Sequence, residues 1–175
     1  MNGIMYDVKE LISKEEIEEK VKNIASKIEK DYENEEITLI CILKGSTFFT
    51  VDLAKNINKN VEIEFIQVSS YGSETISSNI ELKLDLKESI EGKNVVIVED
   101  IIDTGRTLSY LIEHLKGRNP KSLKLCTLLD KPERRIYDVT VDYVGFEIPD
   151  KFVVGYGLDY NEMYRNLPYV GYIEV

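Results

Sequence analysis

Four runs of strand length that are rich in apolar residues alternate with stretches of helical spacing, and this alternation constrains the fold more than any other feature of the sequence. The runs cover residues 37–43, 94–99, 123–129 and 139–146. Strands that are apolar on both faces and separated by helices are typical of a parallel sheet with helices on both sides. The sequence therefore predicts an α/β fold with a twisted, mostly parallel sheet. Its 175 residues suit a single domain spanning residues 1–175.

Three segments have helical patterns. Ser13 and Glu16 form a capping box ahead of apolar residues that recur at helical spacing up to Tyr32. Ser46 is expected to cap a second helix that ends near residue 57. A third helix is expected over residues 107–116, since Gly117 and Pro120 follow it.

Two further strands are expected in the middle of the chain, with an antiparallel arrangement. Val61, Ile63 and Phe65 alternate with glutamates, which predicts a strand with one solvent-facing side. Apolar and polar residues also alternate over residues 80–86. The serine-rich segment between the two strands, residues 69–79, predicts a mobile loop.

Composition excludes several classes of protein. The hydrophobic fraction of 43% is enough for a core, and the net charge of −10 argues against a broad nucleic-acid-binding surface. Cys41 and Cys126 lie in apolar runs and are interpreted as reduced core thiols, which indicates a cytoplasmic protein. A membrane partner is not expected, because no apolar run approaches about 18 residues. The first residues lack the pattern of a signal peptide.

One stretch carries most of the chemical information. The apolar run at residues 95–98 leads directly into Glu99 and Asp100, and Asp103 opens a short polar turn over residues 103–107. Successive N–H groups of such a turn, together with the start of the following helix, can bind a phosphate. Carboxylates repel phosphate but accept hydrogen bonds from sugar hydroxyls. A ligand with a phosphate at one end and a diol at the other therefore fits both halves.

This stretch has other interpretations. The turn is neither a Walker loop, since it lacks the GK[ST] ending, nor a dinucleotide fingerprint, since it has one glycine. The acids could be a solvated strand end, with Asp103 as a turn residue. They could also bind magnesium for phosphoryl transfer, as in receiver or phosphatase domains.

The stretch VVIVEDIIDTGRTL resembles the phosphoribosyl pyrophosphate motif of the type I phosphoribosyltransferases. Leu43-Lys44-Gly45 resembles the pyrophosphate loop of that family. The start of the family's flexible catalytic loop is resembled by Ser69, Ser70, Tyr71 and Gly72 of this chain. Residues 144–162 resemble the purine-binding tail of the members that act on 6-oxopurines. These motifs extend from Leu43 to Asn166 and so cover most of the chain.

The resemblance implies a role for each matching residue towards the sugar donor. Glu99 and Asp100 would hold the ribose hydroxyls, directly or through Mg²⁺. Lys44 and Gly45 would contact pyrophosphate by backbone groups, in a loop that has a non-proline cis peptide, and Arg165 would meet the same group. The 5′-phosphate would be bound by Thr104, Gly105, Arg106 and Thr107.

The resemblance also implies the purine site. Lys131 would donate to the 6-oxo group, Phe152 would stack on the base, and Val153 would contact its edge through the backbone. Asp103 would be the general base that accepts the ring proton. Asp159 would bind Mg²⁺, directly or through water, close to the base.

The implied reaction is the Mg²⁺-dependent transfer of the 5-phosphoribosyl group to hypoxanthine or guanine, which gives IMP or GMP and pyrophosphate. The family implies a small hood subdomain built from both chain ends, and a homo-oligomer, either a dimer or a tetramer. Two alternatives stay open: the same fold acting on xanthine, and an RNA-binding regulator built on that fold. The charge of −10 argues against the regulator.

Overall fold

A computed structural model of the chain describes residues 6–71 and 79–174. Within these ranges the strands and helices follow in the order β1 (Lys9–Ile12), α1 (Lys14–Asp31), β2 (Ile37–Ile42), α2 (Thr47–Asn56), β3 (Val61–Tyr71), β4 (Asn79–Leu84), β5 (Asn94–Ile102), α3 (Arg106–Lys116), β6 (Ser122–Asp130), β7 (Tyr143–Glu147), β8 (Phe152–Val154) and β9 (Val170–Ile173). A short 3₁₀-helix, Pro132–Arg134, lies between β6 and β7.

The main sheet has six strands in the order β4-β3-β2-β5-β6-β7. Every neighbouring pair is parallel except β3 and β4, which are antiparallel. Side chains alternate between its two faces, so that Leu39 packs in one apolar cluster with α1 and α2, whereas Ile40 packs in the other with α3. The expected α/β architecture, including the antiparallel pair, is confirmed.

A second, three-stranded sheet has the order β1-β9-β8 and is antiparallel throughout. Lys9 pairs with Tyr172, and Val153 pairs with the same residue from the other side. This small sheet, called the hood below, joins the first described strand to the last. The sequence patterns did not predict β1.

Three local expectations were wrong. Ser46 stands at the N-cap of α2, but its hydroxyl donates to the carbonyl of Ile42 instead of capping the helix. Ile63 and Phe65 are 37% and 43% exposed, because α2 packs on β2 and β5 and leaves β3 largely uncovered. The segment 69–71 continues β3 and is not loop.

Other boundaries match more closely. The capping box of α1 is present, with Ser13 and Glu16 each accepting from the backbone of the other. The strand expected over 139–146 is an exception, since it begins only at Tyr143. Among the described residues, the structure has no helix that is long and apolar enough to cross a bilayer.

Candidate active site

The residues predicted from the sequence gather at the carboxyl-terminal edge of the main sheet. In the strand order, β2 and β5 are neighbours whose following helices, α2 and α3, lie on opposite faces of the sheet. Such a switch point opens a crevice for ligands in α/β sheets. Two adjoining cavities lie here, and both are lined by Ile101 and Asp103.

The first cavity, of about 240 Å³, is lined by Glu99 and by the turn of residues 103–107. Gly105 stands at the N-cap of α3 with φ +82°, a left-handed conformation that suits glycine. Because α3 begins at Arg106, the first N–H groups of the helix have no partner within the helix and point out of its N-terminus. The turn thus offers donors and a positive helix end to an anion.

A segment after β6 supports this turn, and sequence reasoning missed it. The carbonyl of Thr104 accepts from the N–H groups of Ile136 and Tyr137, both at 3.0 Å. Arg135 donates through Nε to the carbonyl of Asp103 at 3.3 Å and pairs with the carboxylate of Asp130. An arginine five residues after a strand gives no sequence signal of such a role.

Glu99 and Asp100 lie in a low-dielectric environment at the end of β5. Glu99 is buried, and burial together with the charge of Asp100 raises its pKa well above the usual range of a glutamate. Burial also raises the pKa of Asp100. Gly45 lies directly against Asp100: a Cβ at Gly45 would overlap Oδ2 of that carboxylate.

These two carboxylates are a suitable donor set for Mg²⁺. No cluster of three or more His, Cys, Asp or Glu side chains able to hold a metal occurs in the described ranges. Mg²⁺ commonly binds to one or two carboxylates and completes its octahedral shell with water and substrate oxygens. An acid pair of buried Glu99 and partly buried Asp100, beside a turn that can bind phosphate, therefore fits an ion that arrives with its substrate.

The second cavity, of about 480 Å³, is lined by Asp100 and Asp103 on one side and by Lys131, Phe152, Val153 and Asp159 on the other. Lys131 is buried, and its Nζ donates to the carbonyl of Lys151 at 2.7 Å and lies 3.3 Å from Asp150. Phe152 is 45% exposed, with its ring at 5.4 Å from that of Tyr160 in an edge-on contact. A charged donor and an exposed aromatic face thus share one cavity.

A chain of ion pairs crosses this cavity, and its middle members were not predicted. Nε of Arg134 lies 2.7 Å from Oδ1 of Asp103, and Nη1 of Arg134 lies 3.4 Å from Asp150. Oδ1 of Asp103 is buried and accepts no hydrogen bond from the described residues, so its contact with Arg134 is an ion pair whose geometry does not suit a hydrogen bond. Arg134 therefore links the expected base, through Asp150, to Lys131.

Lys44 and Arg165 meet at the third part of the site. The peptide bond between Leu43 and Lys44 is cis, as expected. Nη2 of Arg165 lies 2.8 Å from Asp159, and its Nη1 donates to the carbonyl of Gly157 at 2.7 Å. Gly157 packs on the carbonyl of Gly45, which brings the segment after β8 against the expected pyrophosphate loop.

The expected flexible loop is described only in part. Ser69 lies in β3, and its hydroxyl is buried with no hydrogen-bond partner among the described residues. Ser70 and Tyr71 end the same strand, where their backbones pair with Ile80 and Asn79. Gly72 lies outside the described residues.

A larger cavity lies elsewhere among the described residues. It measures about 800 Å³ and lies at the opposite edge of the sheet, beside the start of β2, β3 and β5. Its lysines are paired with its own acids, Lys93 with Glu62 and Lys121 with Glu35. We therefore place the site at the two smaller cavities, where the acid pair and the phosphate turn converge.

The geometry agrees with comparisons to known proteins. A family model described as the phosphoribosyl transferase domain matches residues 7–161. The chain belongs to this phosphoribosyltransferase family. The match includes every strand of the main sheet, the acid pair and the phosphate turn, and the resemblance inferred from the motifs is confirmed.

Relatives of this phosphoribosyltransferase include a hypoxanthine-guanine phosphoribosyltransferase of Bacillus subtilis, 50% identical over 167 residues that cover 95% of this chain and 93% of the relative. The crystal structure of such an enzyme from Bacillus anthracis is 51% identical with a TM-score of 0.91, and the match covers 98% of this chain and 100% of that one. The crystal structure of a hypoxanthine phosphoribosyltransferase from Staphylococcus aureus is 45% identical with a TM-score of 0.92. That match covers 99% of this chain and 96% of the other.

Proposed function

We propose that this chain transfers the 5-phosphoribosyl group of phosphoribosyl pyrophosphate to hypoxanthine or guanine, giving IMP or GMP and pyrophosphate in purine salvage. One observation supports this most strongly. A turn with donors for a phosphate, an acid pair with buried Glu99, and a cavity with a buried lysine and an exposed phenylalanine adjoin one another around Asp103. Phosphate, sugar and purine follow in the same order in the product.

The sugar donor would extend along the strand ends. Thr104, Gly105, Arg106 and Thr107 would bind the 5′-phosphate through their N–H groups and hydroxyls. Glu99 and Asp100 would accept hydrogen bonds from the ribose hydroxyls. Their charge would also stabilise the positive charge that develops at the ribose C1 as pyrophosphate leaves.

The pyrophosphate would lie against Lys44, Gly45 and Arg165. The buried Nε of Arg165 has no partner among the described residues, so it is free to donate there. Mg²⁺ would be held by Glu99, Asp100 and Asp159, directly or through water, and would offset the charge of the leaving group.

The purine would lie in the larger cavity. Lys131 would donate to the 6-oxo group, Phe152 would stack on the ring, and the backbone of Val153 would contact its edge. Asp103 would accept the ring proton as the purine nitrogen attacks C1, which makes it the general base. Residues 69–72 begin the segment that would close over the site and exclude water.

We also propose that the chain is one phosphoribosyltransferase domain over residues 1–175, acts in the cytoplasm and forms a homo-oligomer. Phe48 and Val51 on α2, and Ile63 and Phe65 on β3, are between 37% and 48% exposed. They lie on the side of the sheet that carries α1 and α2. Large apolar side chains in such number suit contact with a second copy, and sedimentation equilibrium of Phe65→Glu beside the wild type tests this.

The reaction is tested by steady-state kinetics with hypoxanthine, guanine, xanthine and adenine, each with the sugar donor and Mg²⁺. Turnover of hypoxanthine or guanine is expected to be fastest, because a lysine donor suits a 6-oxo group and not the 6-amino group of adenine. If adenine were the best substrate, the role of Lys131 would be wrong. Fastest turnover of xanthine would favour the alternative substrate.

Asp103→Asn tests the general base. We expect kcat to fall about 10²–10⁴-fold while binding of the nucleotide product is retained. Near-normal turnover would remove Asp103 from this role. RNA binding by the wild-type chain without Mg²⁺-dependent turnover would instead favour the RNA-binding regulator.

A further inference from the structure

One acidic side chain at the edge of the site has no role in the proposed reaction. Oε2 of Glu162 lies 3.0 Å from Nζ of Lys44 and 3.4 Å from Nη2 of Arg165. It therefore bridges two cations from distant parts of the sequence. The proposed function places pyrophosphate beside both residues, against the backbone of Lys44 and the guanidinium of Arg165, so both positive charges lie near that group.

The backbone that carries this carboxylate is held in an unusual conformation. Asn161, Glu162 and Tyr164 have φ of +51°, +63° and +76°, a left-handed conformation that costs non-glycine residues of order 1 kcal/mol each. The N–H of Glu162 donates to Oδ2 of Asp159 at 2.8 Å. Tyr160 and Met163 exchange two backbone hydrogen bonds across the turn. These hydrogen bonds hold the backbone of the turn, so Glu162 starts from a fixed position beside Lys44, whereas its exposed side chain has room to rotate.

The charges around the two cations are balanced in the free protein. Arg165 pairs with Asp159 at 2.8 Å as well as with Glu162, and Lys44 pairs with Glu162. Glu162 is the more exposed of the two acids, with 65% of its side chain accessible against 29% for Asp159. An incoming anion can therefore displace Glu162 at lower cost than Asp159.

We propose that Glu162 is an internal stand-in for pyrophosphate. In the free protein its carboxylate neutralises Lys44 and Arg165, and it turns away when the pyrophosphate end of the donor binds. The competition weakens binding of pyrophosphate and so favours its release after transfer. This role rests on the proposed function, because that function places pyrophosphate at these two cations.

The test uses Glu162→Gln in the full chain, with inorganic pyrophosphate and Mg²⁺ as the probe in isothermal titration calorimetry. Loss of two exposed ion pairs predicts that the dissociation constant of pyrophosphate falls about threefold to tenfold. Product inhibition by pyrophosphate should become stronger by the same factor, while KM for hypoxanthine stays unchanged. Glu162→Asp keeps the charge on a shorter side chain, so its dissociation constant for pyrophosphate should lie between those of the wild type and Glu162→Gln.

Glu113→Gln is the matched control, since Glu113 is also an exposed acid in an ion pair three residues from its partner, Lys116. It should leave pyrophosphate affinity as in the wild type. Unchanged or weaker pyrophosphate binding in Glu162→Gln would overturn the proposal, because Glu162 would then be neutral or would help to orient Lys44. Wild-type turnover of hypoxanthine, measured in parallel, tests the proposed function separately: turnover together with equal affinities would reject only the role of Glu162.

Discussion

The contact between Gly157 and Gly45 predicts a defect that is local to the pyrophosphate side of the site. A Cβ at Gly157 would lie far inside 3.0 Å of the carbonyl oxygen of Gly45, and the φ of Gly157 is +102°. Gly157→Ala therefore brings backbone strain of about 1–2 kcal/mol and requires the Lys44-Gly45 loop to move by about 1 Å. A misplacement of that size can cost about 10²-fold in rate.

We expect Gly157→Ala to lower kcat/KM for the sugar donor about 100-fold and to lower the free energy of unfolding by about 1–3 kcal/mol. The assays are steady-state kinetics and urea unfolding. Gly92→Ala is the control, because Gly92 also has a positive φ, +71°, but nothing lies within 4 Å of its added Cβ. It should lose stability and keep activity. If both variants kept the kinetics of the wild type, the glycine contact would not position the loop.

Three further predictions concern single side chains. Glu99→Gln should raise the free energy of unfolding at pH 8 by about 1–2 kcal/mol and reduce activity. The reason is that the raised pKa of Glu99 makes its ionised form costly as the pH rises above the usual glutamate range. A variant that is no more stable than the wild type in urea would contradict this. Lys131→Met should lower kcat/KM for hypoxanthine about 10–100-fold, because a charged hydrogen-bond donor is lost. If steady-state kinetics showed a loss below about threefold, Lys131 would not be the donor to the purine. Asp31→Asn should lower the free energy of unfolding at pH 7 by no more than about 1 kcal/mol, since the pair with Lys124 is partly exposed, and the difference should shrink as the pH falls below the usual pKa of aspartate.

The hydrogen bonds of Asp31 determine how its contribution to stability changes with pH. Lys124 and the hydroxyl of Tyr143 donate to its carboxylate and lower its pKa in the folded state. Its contribution is therefore present above the usual pKa of aspartate and is lost as the pH falls through the lowered value. Chemical unfolding of both proteins between pH 2 and pH 7 measures it, and curves that stayed parallel would exclude the ion pair as the cause.

Sequence periodicity predicted the main sheet well because its strands are buried on both faces. Residues 37–42 and 95–98 are buried without interruption, as expected for strands that are covered on both faces. Periodicity failed at β1, four residues with one buried position, where pairing with a strand 158 residues later decides the structure. It also failed for Phe65, whose exposure depends on where α2 crosses the sheet.

Within the candidate site, residues likewise differ in how well the sequence predicts them. Residues that act through a local turn, such as Asp103 and Gly105, stand out in the sequence because acids and a glycine interrupt an apolar strand. Arg134, Arg135 and Glu162 do not stand out, since an exposed charge at any loop position looks alike until its partner is known. Each of the three has a partner that is 16 to 118 residues away along the chain.

The strand order of the hood sets the order in which the protein can be completed during synthesis. β1 pairs with β9, which is also the neighbour of β8. The six strands of the main sheet all leave the ribosome before β9 does, so the phosphate turn and the acid pair can form while Phe152 and Val153 still lack their pairing strand. The cavity wall formed by Phe152 and Val153 thus gains its strand pairing only after the acid pair and the turn of residues 103–107 have been synthesised, and a chain truncated before residue 170 would lack this pairing.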